Sequence, residues 1–445
     1  MIKSVVKRSG AIVPFNPDRI TNAIYRAAVE QGGRDRALAE QLSQKVVAML
    51  EANTLPDHTP TIEEIQDVVE KVLIENGHAR VAKAYILFRD ERARLRRERA
   101  GRAAPRTSEN IPWAKIWRVL DWSVAHGVNT VAGLNERIAR GEFADIVREA
   151  ERAYEEDIEN AAEMLLARRK ELKLVFITGP SSSGKTTTTI KVGTRLKRMG
   201  FNLVTFTVDN YFFDLELHPK DEFGDYDFET PQALDLGLIN QHLVRLIAGE
   251  EIAMPFYDMK TGKRYNDRTP MKLGPNDLIL IDSLHGMFPA MTQDVPHEQK
   301  FKLYLEPLLQ MKGPDGEYVR WTDLRLIRRM LRDAVHRAYD PRRTLEHWHY
   351  VRNSELRNII PHIGEADYIV NTGMPFELPL YRPRLLTQFA EWEKDYADDP
   401  LREDAYERAK RVHALLQAVT PIEDDSAVPG DSVLREFIGG SVYKY

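Results

Sequence analysis

Apolar positions along this chain recur at two spacings, and the changes between them divide it into segments. Residues 3–7 and 11–15 read as two short strands on either side of Arg8-Ser-Gly10, a hairpin pattern. From 17 to 31 the spacing lengthens to three and four, with Ile20, Ile24 and Ala28 on one face, which predicts a helix. Further helices are predicted at about 35–50, at 61–75 and from 79 towards 99; the middle one is bounded by the capping box Thr61-Ile-Glu-Glu64 and by Gly77. Gly101-Arg-Ala-Ala-Pro105 interrupts the last of them and marks an expected domain edge. Beyond it, Val147, Ala150, Tyr154, Ile158, Ala161 and Leu165 form one apolar face of a long helix, which should pack on the domain that follows.

From residue 174 the pattern alternates. Strands are predicted at 174–178, 203–208, 277–282, 301–306 and 367–371, with helices near 185–199, 232–248, 322–338 and 345–358. Such alternation predicts an α/β fold, a parallel sheet covered by helices on both faces, with ligands at the carboxyl ends of its strands. A helix at about 403–418 and an irregular tail from 421 close the chain, and no internal repeat or low-complexity segment is present.

Composition narrows the class. With 445 residues the prior is about three domains, and 43% hydrophobic with 29% charged residues describes a globular chain. A net charge of −5 gives no global attraction to nucleic acid or anionic membrane, and the basic stretch 92–106 lacks the interleaved aromatics of a nucleic-acid surface. No apolar run approaches the roughly 20 residues of a membrane span, and the N-terminus lacks the apolar core of a secretory signal. The absence of cysteine excludes disulfides, thiolate metal sites and a cysteine nucleophile. A cytoplasmic location is expected.

The chemistry centres on residues 179–186, Gly-Pro-Ser-Ser-Ser-Gly-Lys-Thr, a complete G-x4-G-K-[ST] loop between an apolar strand and a helix. Gly179, Pro180, Ser181, Ser182, Ser183, Gly184, Lys185, Thr186 and Thr187 are therefore candidate triphosphate-binding residues. Glycines let backbone N–H groups curl around a phosphate, Lys185 supplies a point charge, Thr186 offers a hydroxyl to Mg²⁺, and the helix N-terminus favours anions.

Asp209 follows the neighbouring strand, where phosphoryl transfer needs a group to accept a hydroxyl proton, and is the candidate base. Asp225-Tyr-Asp-Phe-Glu229 and Phe256-Tyr-Asp258 are acidic–aromatic clusters in loop-like sequence, residue types that pair with sugar hydroxyls and stack on a base. Acceptor-side candidates are Tyr211, Asp227, Glu229, Tyr257 and Asp258. Asp282, ending an apolar strand, is placed to hold Mg²⁺ through water, and His285 beyond it reads as a structural or substrate-contacting residue. Arg325, Arg328, Arg329 and Arg332 recur at three and four along one helical face, the cations that a transferring phosphoryl group needs.

These motifs, with Ala366-Asp-Tyr-Ile-Val-Asn-Thr-Gly373, together resemble the uridine kinase and phosphoribulokinase family of P-loop kinases. The closer likeness is to uridine-kinase-related nucleoside kinases with an extra N-terminal domain, through 219–229, His285-Gly286 and the tail Ser432-Val-Leu-Arg-Glu-Phe-Ile-Gly-Gly-Ser441. The resemblance covers about 145–445. It implies that Lys185 and Thr186 hold ATP and Mg²⁺, that Asp209 is the base, that Asp227 or Glu229 with Tyr257 contacts the acceptor, and that the four arginines form a lid. Two departures stand out: Lys260-Thr-Gly-Lys-Arg-Tyr265 replaces the family's His-Ser-Arg step, and Asp282-Ser283 replaces its Glu-Gly.

Residues 1–95 resemble an ATP-cone, the nucleotide-sensing module of ribonucleotide reductases and their repressor, through Val6-Lys-Arg-Ser-Gly10, Phe15-Asn-Pro-Asp-Arg-Ile20 and Val81-Ala-Lys-Ala-Tyr-Ile-Leu-Phe-Arg89. Lys7, Arg8 and Arg19 are the candidate grip on a regulatory ATP or dATP. The expected organisation is an ATP-cone at 1–100, a helical connector at 101–172, a P-loop NTPase-type kinase domain at 173–385 and a helical extension with its tail at 386–445. The expected activity is ATP-dependent phosphorylation of a nucleoside, uridine- or cytidine-like, or of a related hydroxyl. A kinase of a phosphorylated sugar or acid, and a nucleotide-responsive regulator without catalysis, are the alternatives. ATP-cones often work through assembly, so a homo-oligomer is compatible.

Overall fold

The structure, a computed structural model, describes residues 2–6, 12–31, 33, 35–53, 59–86, 111–218, 228–337, 340–399 and 402–444. These fall into two compact units, one ending at residue 86 and the other beginning at 111.

In the first unit β1 (Ser4–Val6) and β2 (Ile12–Pro14) pair antiparallel, as the hairpin pattern requires. The helices α1 (Asp18–Glu30), α2 (Arg36–Asn53), α3 (Ile62–Glu75) and α4, described over 79–86, follow. Thr61 and Glu64 form the predicted capping box at α3, with Glu64 N–H donating to Thr61 Oγ1 at 3.2 Å and Thr61 N–H to Glu64 Oε2 at 2.6 Å. Ile20, Ile24, Leu42, Val46, Val72 and Leu73 are buried together, so each helix contributes its apolar stripe to one small core.

The second unit begins with α5 (Trp113–Ala125), α6 (Val131–Ala139) and α7 (Phe143–Ala167). It continues through β3 (Leu174–Thr178), α8 (Lys185–Arg198), β4 (Asn202–Thr205) and α9 (Leu236–Ile247). Next come β5 (Ile252–Asp258), β6 (Lys263–Met271), β7 (Asp277–Ser283), β8 (Lys300–Glu306), α10 (Trp321–Arg337) and α11 (Pro341–Asn358). The last elements are β9 (Tyr368–Asn371), α12 (Glu377–Tyr396), α13 (Glu403–Ala418) and α14 (Arg435–Ile438). Five strands form one parallel sheet in the order β4-β7-β3-β8-β9. The loop-bearing β3 is thus central, between β7 and β8.

Every residue of β3 is buried, which explains its unbroken apolar run. Val175 and Ile177 enter a core with α7, α10 and α12, whereas Leu174 and Phe176 face the opposite way, towards α9 and β5. The predicted face of α7, from Val147 to Leu165, is buried in the first of these cores. Among the described residues no helix is long and apolar enough to cross a membrane.

Two local expectations are corrected. Phe256-Tyr-Asp258 is not loop: it ends β5, which pairs antiparallel with β6. The polar, mostly exposed β6 shows no alternation, and the register shifts between Met254 and Phe256, where Pro255 offers no N–H to the ladder. The second correction concerns α10. Arg325 and Arg328 do not lie on an open face; they are 1% and 0% exposed, the helix being enclosed by neighbours.

Both are held by carboxylates from other elements. Arg325 Nε donates to Glu306 Oε1 at 2.8 Å, and its other nitrogens form a bidentate pair with Glu355. Arg328 does the same with Glu377, at 2.8 and 2.5 Å, and also donates to Thr372 O at 2.5 Å. Burial alone would drive protons off the guanidinium groups, and the paired carboxylates reverse that, holding both pKa values above the usual arginine range. Removing one partner leaves a buried charge without compensation, so E377A should lose about 3–5 kcal/mol of stability in urea unfolding. A loss under about 1 kcal/mol would show that Arg328 finds water or another partner.

Candidate active site

The loop after β3 takes its shape from two glycines. Gly184, the N-cap of α8, has φ 87°, and Gly179 has φ 153°, so neither position accepts a side chain without strain. A β-carbon on Gly179 would also collide with Leu305 O of β8.

The loop is then braced from outside. Ser181 O accepts from Arg325 Nη1 at 3.2 Å, Ser181 Oγ from Arg329 Nη1 at 3.2 Å, and Ser183 O from the Thr372 hydroxyl at 2.7 Å. Arg325 and Arg328 therefore position the loop, whereas Arg329 and Arg332 are half-buried. Arg329 also pairs with Glu229 at 2.8 Å, and Arg332 with Asp333 at 2.9 Å.

Within the loop Lys185 folds back, its Nζ donating to Gly179 O at 2.9 Å and Pro180 O at 3.0 Å. Burial lowers its pKa, against the attraction of Asp282 and Glu436. Thr186, second residue of α8, is exposed. Several buried polar atoms lack a partner among the described residues: Thr178 Oγ1, Ser182 Oγ, Ser183 Oγ and both ring nitrogens of His285. Buried polar atoms are ordinarily satisfied, so a group of them around one loop marks a place built for a polar ligand.

Two carboxylates act on Lys185 through their charge. Asp282, at the end of β7, is pushed up to about 6 by burial, opposed by Lys185 and reinforced by Glu436 and Asp209. Asp209, exposed in the turn after β4, is raised by enclosure and opposed by Lys185. His285 is held down to about 3 by burial, with Lys185 adding to the effect, and is neutral at physiological pH.

The acceptor-side candidates separate. Tyr211 is a core residue: fully buried, stacked on Phe206 and hydrogen-bonded through its hydroxyl to His242 Nδ1 at 2.8 Å. Asp258 closes the β5–β6 turn by accepting from Lys260 N–H at 2.9 Å, a structural use of its carboxylate. Tyr257 lies in an aromatic group with Phe212 (5.5 Å), His218 and Phe228, and its N–H donates to Asn210 Oδ1 at 3.3 Å. Asp227, Lys7 and Arg8 lie outside the described residues, and Arg19 is exposed at the start of α1.

Reasoning from the sequence missed two contributors. Thr372 links Arg328 to the loop, and Glu436, in the quoted tail, accepts from Thr187 at the start of α8. The second pair is separated by 249 residues, beyond the reach of any local pattern.

Compared with known proteins, residues 174–377 match the model of the phosphoribulokinase / uridine kinase family, and residues 3–94 match that of the ATP cone domain. A uridine kinase of Chloroflexus aurantiacus is 28% identical over 203 residues, 45% of this chain and 87% of that protein. A vitamin B12-dependent ribonucleoside-diphosphate reductase of Thermoplasma acidophilum is 45% identical over 104 residues, 22% of this chain; the chain spans 13% of the reductase's length. A solved structure described as a possible uridine kinase from Bacillus stearothermophilus aligns with a TM-score of 0.33 at 17% identity, over 48% of this chain and 98% of that one.

The raised pKa of Asp282 has a consequence for stability. Its folded value of about 6 lies above the ordinary 3.8, so the folded chain binds the proton more tightly than the unfolded one. The penalty is absent below about pH 4 and complete above about pH 6, and it stays under ~3 kcal/mol because part of the carboxylate meets solvent. D282N should therefore be the more stable protein at pH 7.5 and equal to the parent at pH 4, by chemical unfolding at both pH values. Equal stability at pH 7.5 would contradict it.

Proposed function

We propose, for a chain whose residues 3–94 are an ATP cone domain and whose residues 174–377 belong to the phosphoribulokinase / uridine kinase family, the activity of an ATP-dependent kinase acting on a hydroxyl of an uncharged, nucleoside-like acceptor. The observation that carries this reading is a glycine-shaped loop whose Lys185 rests on the loop's own carbonyls and whose buried Ser182 and Ser183 hydroxyls lack partners among the described residues. Lys185 exchanges two carbonyl partners for the β- and γ-phosphates, a point charge meeting the charge that phosphoryl transfer spreads over oxygen. Asp209 accepts the acceptor's hydroxyl proton as that oxygen bonds to the γ-phosphorus and the bond to ADP breaks. Its raised pKa brings it nearer the value that suits a general base. Arg329 and Arg332 stand over the transferred group.

Mg²⁺ fits this donor set: the hydroxyl of the exposed Thr186 and, through water, Asp282 would hold it, and it would neutralise charge on the β- and γ-oxygens. Among the described residues no cluster of three acidic or histidine side chains offers a full protein cage, in keeping with an ion that keeps waters and takes phosphate oxygens.

The neutral acceptor is supported by two described basic side chains near the turn after β4 that are already engaged. Arg264 pairs with Asp235 at 3.0 Å, and Lys263 with Asp214 and Glu216. A phosphorylated sugar or acid would have to compete for them, whereas a nucleoside needs hydroxyl partners and an apolar wall. Phe212, Tyr257 and the exposed Phe228 supply such a wall. The ATP cone, with Arg19 among its cations, would adjust this activity in response to ATP or dATP by an ordinary coupling of about 1–3 kcal/mol.

ADP release measured across nucleosides, phosphorylated sugars and phosphorylated acids tests the acceptor. Turnover with uridine or cytidine is expected, and turnover only with a phosphorylated compound would contradict it. D209N should lower kcat by about 10²–10⁴-fold while ATP still binds; turnover at the parent's rate removes Asp209 as base.

A further inference from the structure

The carboxyl-terminal segment returns to the first turn of α8. Glu436 is buried, and its Oε2 accepts from Thr187 N–H at 3.2 Å and from the Thr187 hydroxyl at 2.9 Å. Gly184 is the N-cap, so Thr187 is the third helical residue and its N–H is one of the four that no intrahelical carbonyl can satisfy. Those are the donors a helix offers to an anion. An internal carboxylate therefore sits where a phosphate would be received.

The seat is well made. Val433 Cγ2 comes within 2.5 Å of where a Gly184 β-carbon would stand, and the Phe437 ring lies 5.0 Å from the Arg328 guanidinium. Lys191 holds Asp431 at 3.1 Å, and Arg435 holds Asp425 at 3.0 Å and Val428 O at 2.8 Å. Yet Glu436 makes no direct ion pair among the described residues, and the cation that attracts it is Lys185, the same charge a phosphate would draw away. A triphosphate arriving in the loop would bring further negative charge to the same turn. The carboxylate and the nucleotide cannot both use the Thr187 donors.

We propose that Glu436 is an internal competitor for the nucleotide, displaced from the first turn of α8 when a triphosphate binds, so that the segment 428–441 reports whether the site is filled. This rests on the reading that residues 179–187 bind a nucleoside triphosphate. The segment acts on affinity for the phosphate donor. The Lys191–Asp431 pair holds the segment ahead of α14, so that it yields locally, around α14, and stays attached.

The test uses the full chain and the non-hydrolysable ATP analogue AMPPNP. E436Q keeps the size and an acceptor oxygen but removes the charge, and should bind AMPPNP by calorimetry about tenfold more tightly than the parent, a change of about 1.4 kcal/mol. Unchanged or weaker binding overturns the proposal and makes Glu436 a simple helix cap. Hydrogen exchange on the parent gives a second readout independent of any variant: amides of 434–438 should exchange faster with saturating AMPPNP, and equal or slower exchange overturns displacement. If neither parent nor E436Q binds the analogue, the nucleotide-site reading falls too. Binding by the parent with no gain in E436Q removes only the competitor.

Discussion

The loop after β3 depends on guanidinium groups that have been taken out of water. Arg325 and Arg328 are tolerated in the interior only because Glu306, Glu355 and Glu377 meet them there, and these carboxylates come from β8, α11 and α12. A buried charge of this kind tolerates little misplacement, since either partner alone would carry a large desolvation penalty. The pairs therefore fix α10 relative to three other elements. Through Ser181 and Thr372 the same arginines fix the loop.

That rigidity contrasts with the inner surface of the site. The braces are fully satisfied, whereas Ser182, Ser183, Thr178 and His285 keep buried polar atoms unpartnered and Lys185 is parked on carbonyls. Charge is likewise unbalanced: burial raises Asp282, and Lys185 draws down both Asp282 and the exposed Asp209. A site arranged in this way gains hydrogen bonds and charge neutralisation when a phosphate and its cation arrive. The order of strands assists, because β3 lies at the centre and β7, carrying Asp282, is its neighbour. The strained backbone of the loop is at Ser182, whose φ of 60° is sustained by the surrounding pairs.

Much of this was legible in the sequence. The central strands β3 and β7 announced themselves as apolar runs because they are buried on both faces, whereas the edge strands β4 and β9 are only partly buried; the loop was visible because its chemistry demands specific residues at fixed spacing. The α3 capping box, Thr61 with Glu64, was legible for the same reason, being wholly local. The fates of the arginines were not. Spacing places Arg325, Arg328, Arg329 and Arg332 on one helical face, but only the packing of α11, α12 and β8 decides which of them are enclosed. Tyr211 looked like a substrate contact beside Asp209 and turned out to be stacked on Phe206, a distinction set by tertiary burial. The β5–β6 hairpin escaped because β6 is polar and meets the core only at its last residue, Met271, too little to impose alternation. Glu436 carried no local signal at all.

On the proposed reading the loop 179–187 is the donor half of a phosphoryl-transfer site, with Lys185 as its mobile charge and Asp209 facing the acceptor. A crystal structure of the full chain with AMPPNP, Mg²⁺ and uridine is the decisive measurement. Phosphates are expected within the loop, with Lys185 Nζ moved from Gly179 O and Pro180 O onto the phosphate oxygens and Asp209 within hydrogen-bonding distance of an acceptor hydroxyl. Phosphates bound with Lys185 still on those carbonyls, or an acceptor seated away from Asp209, would contradict it.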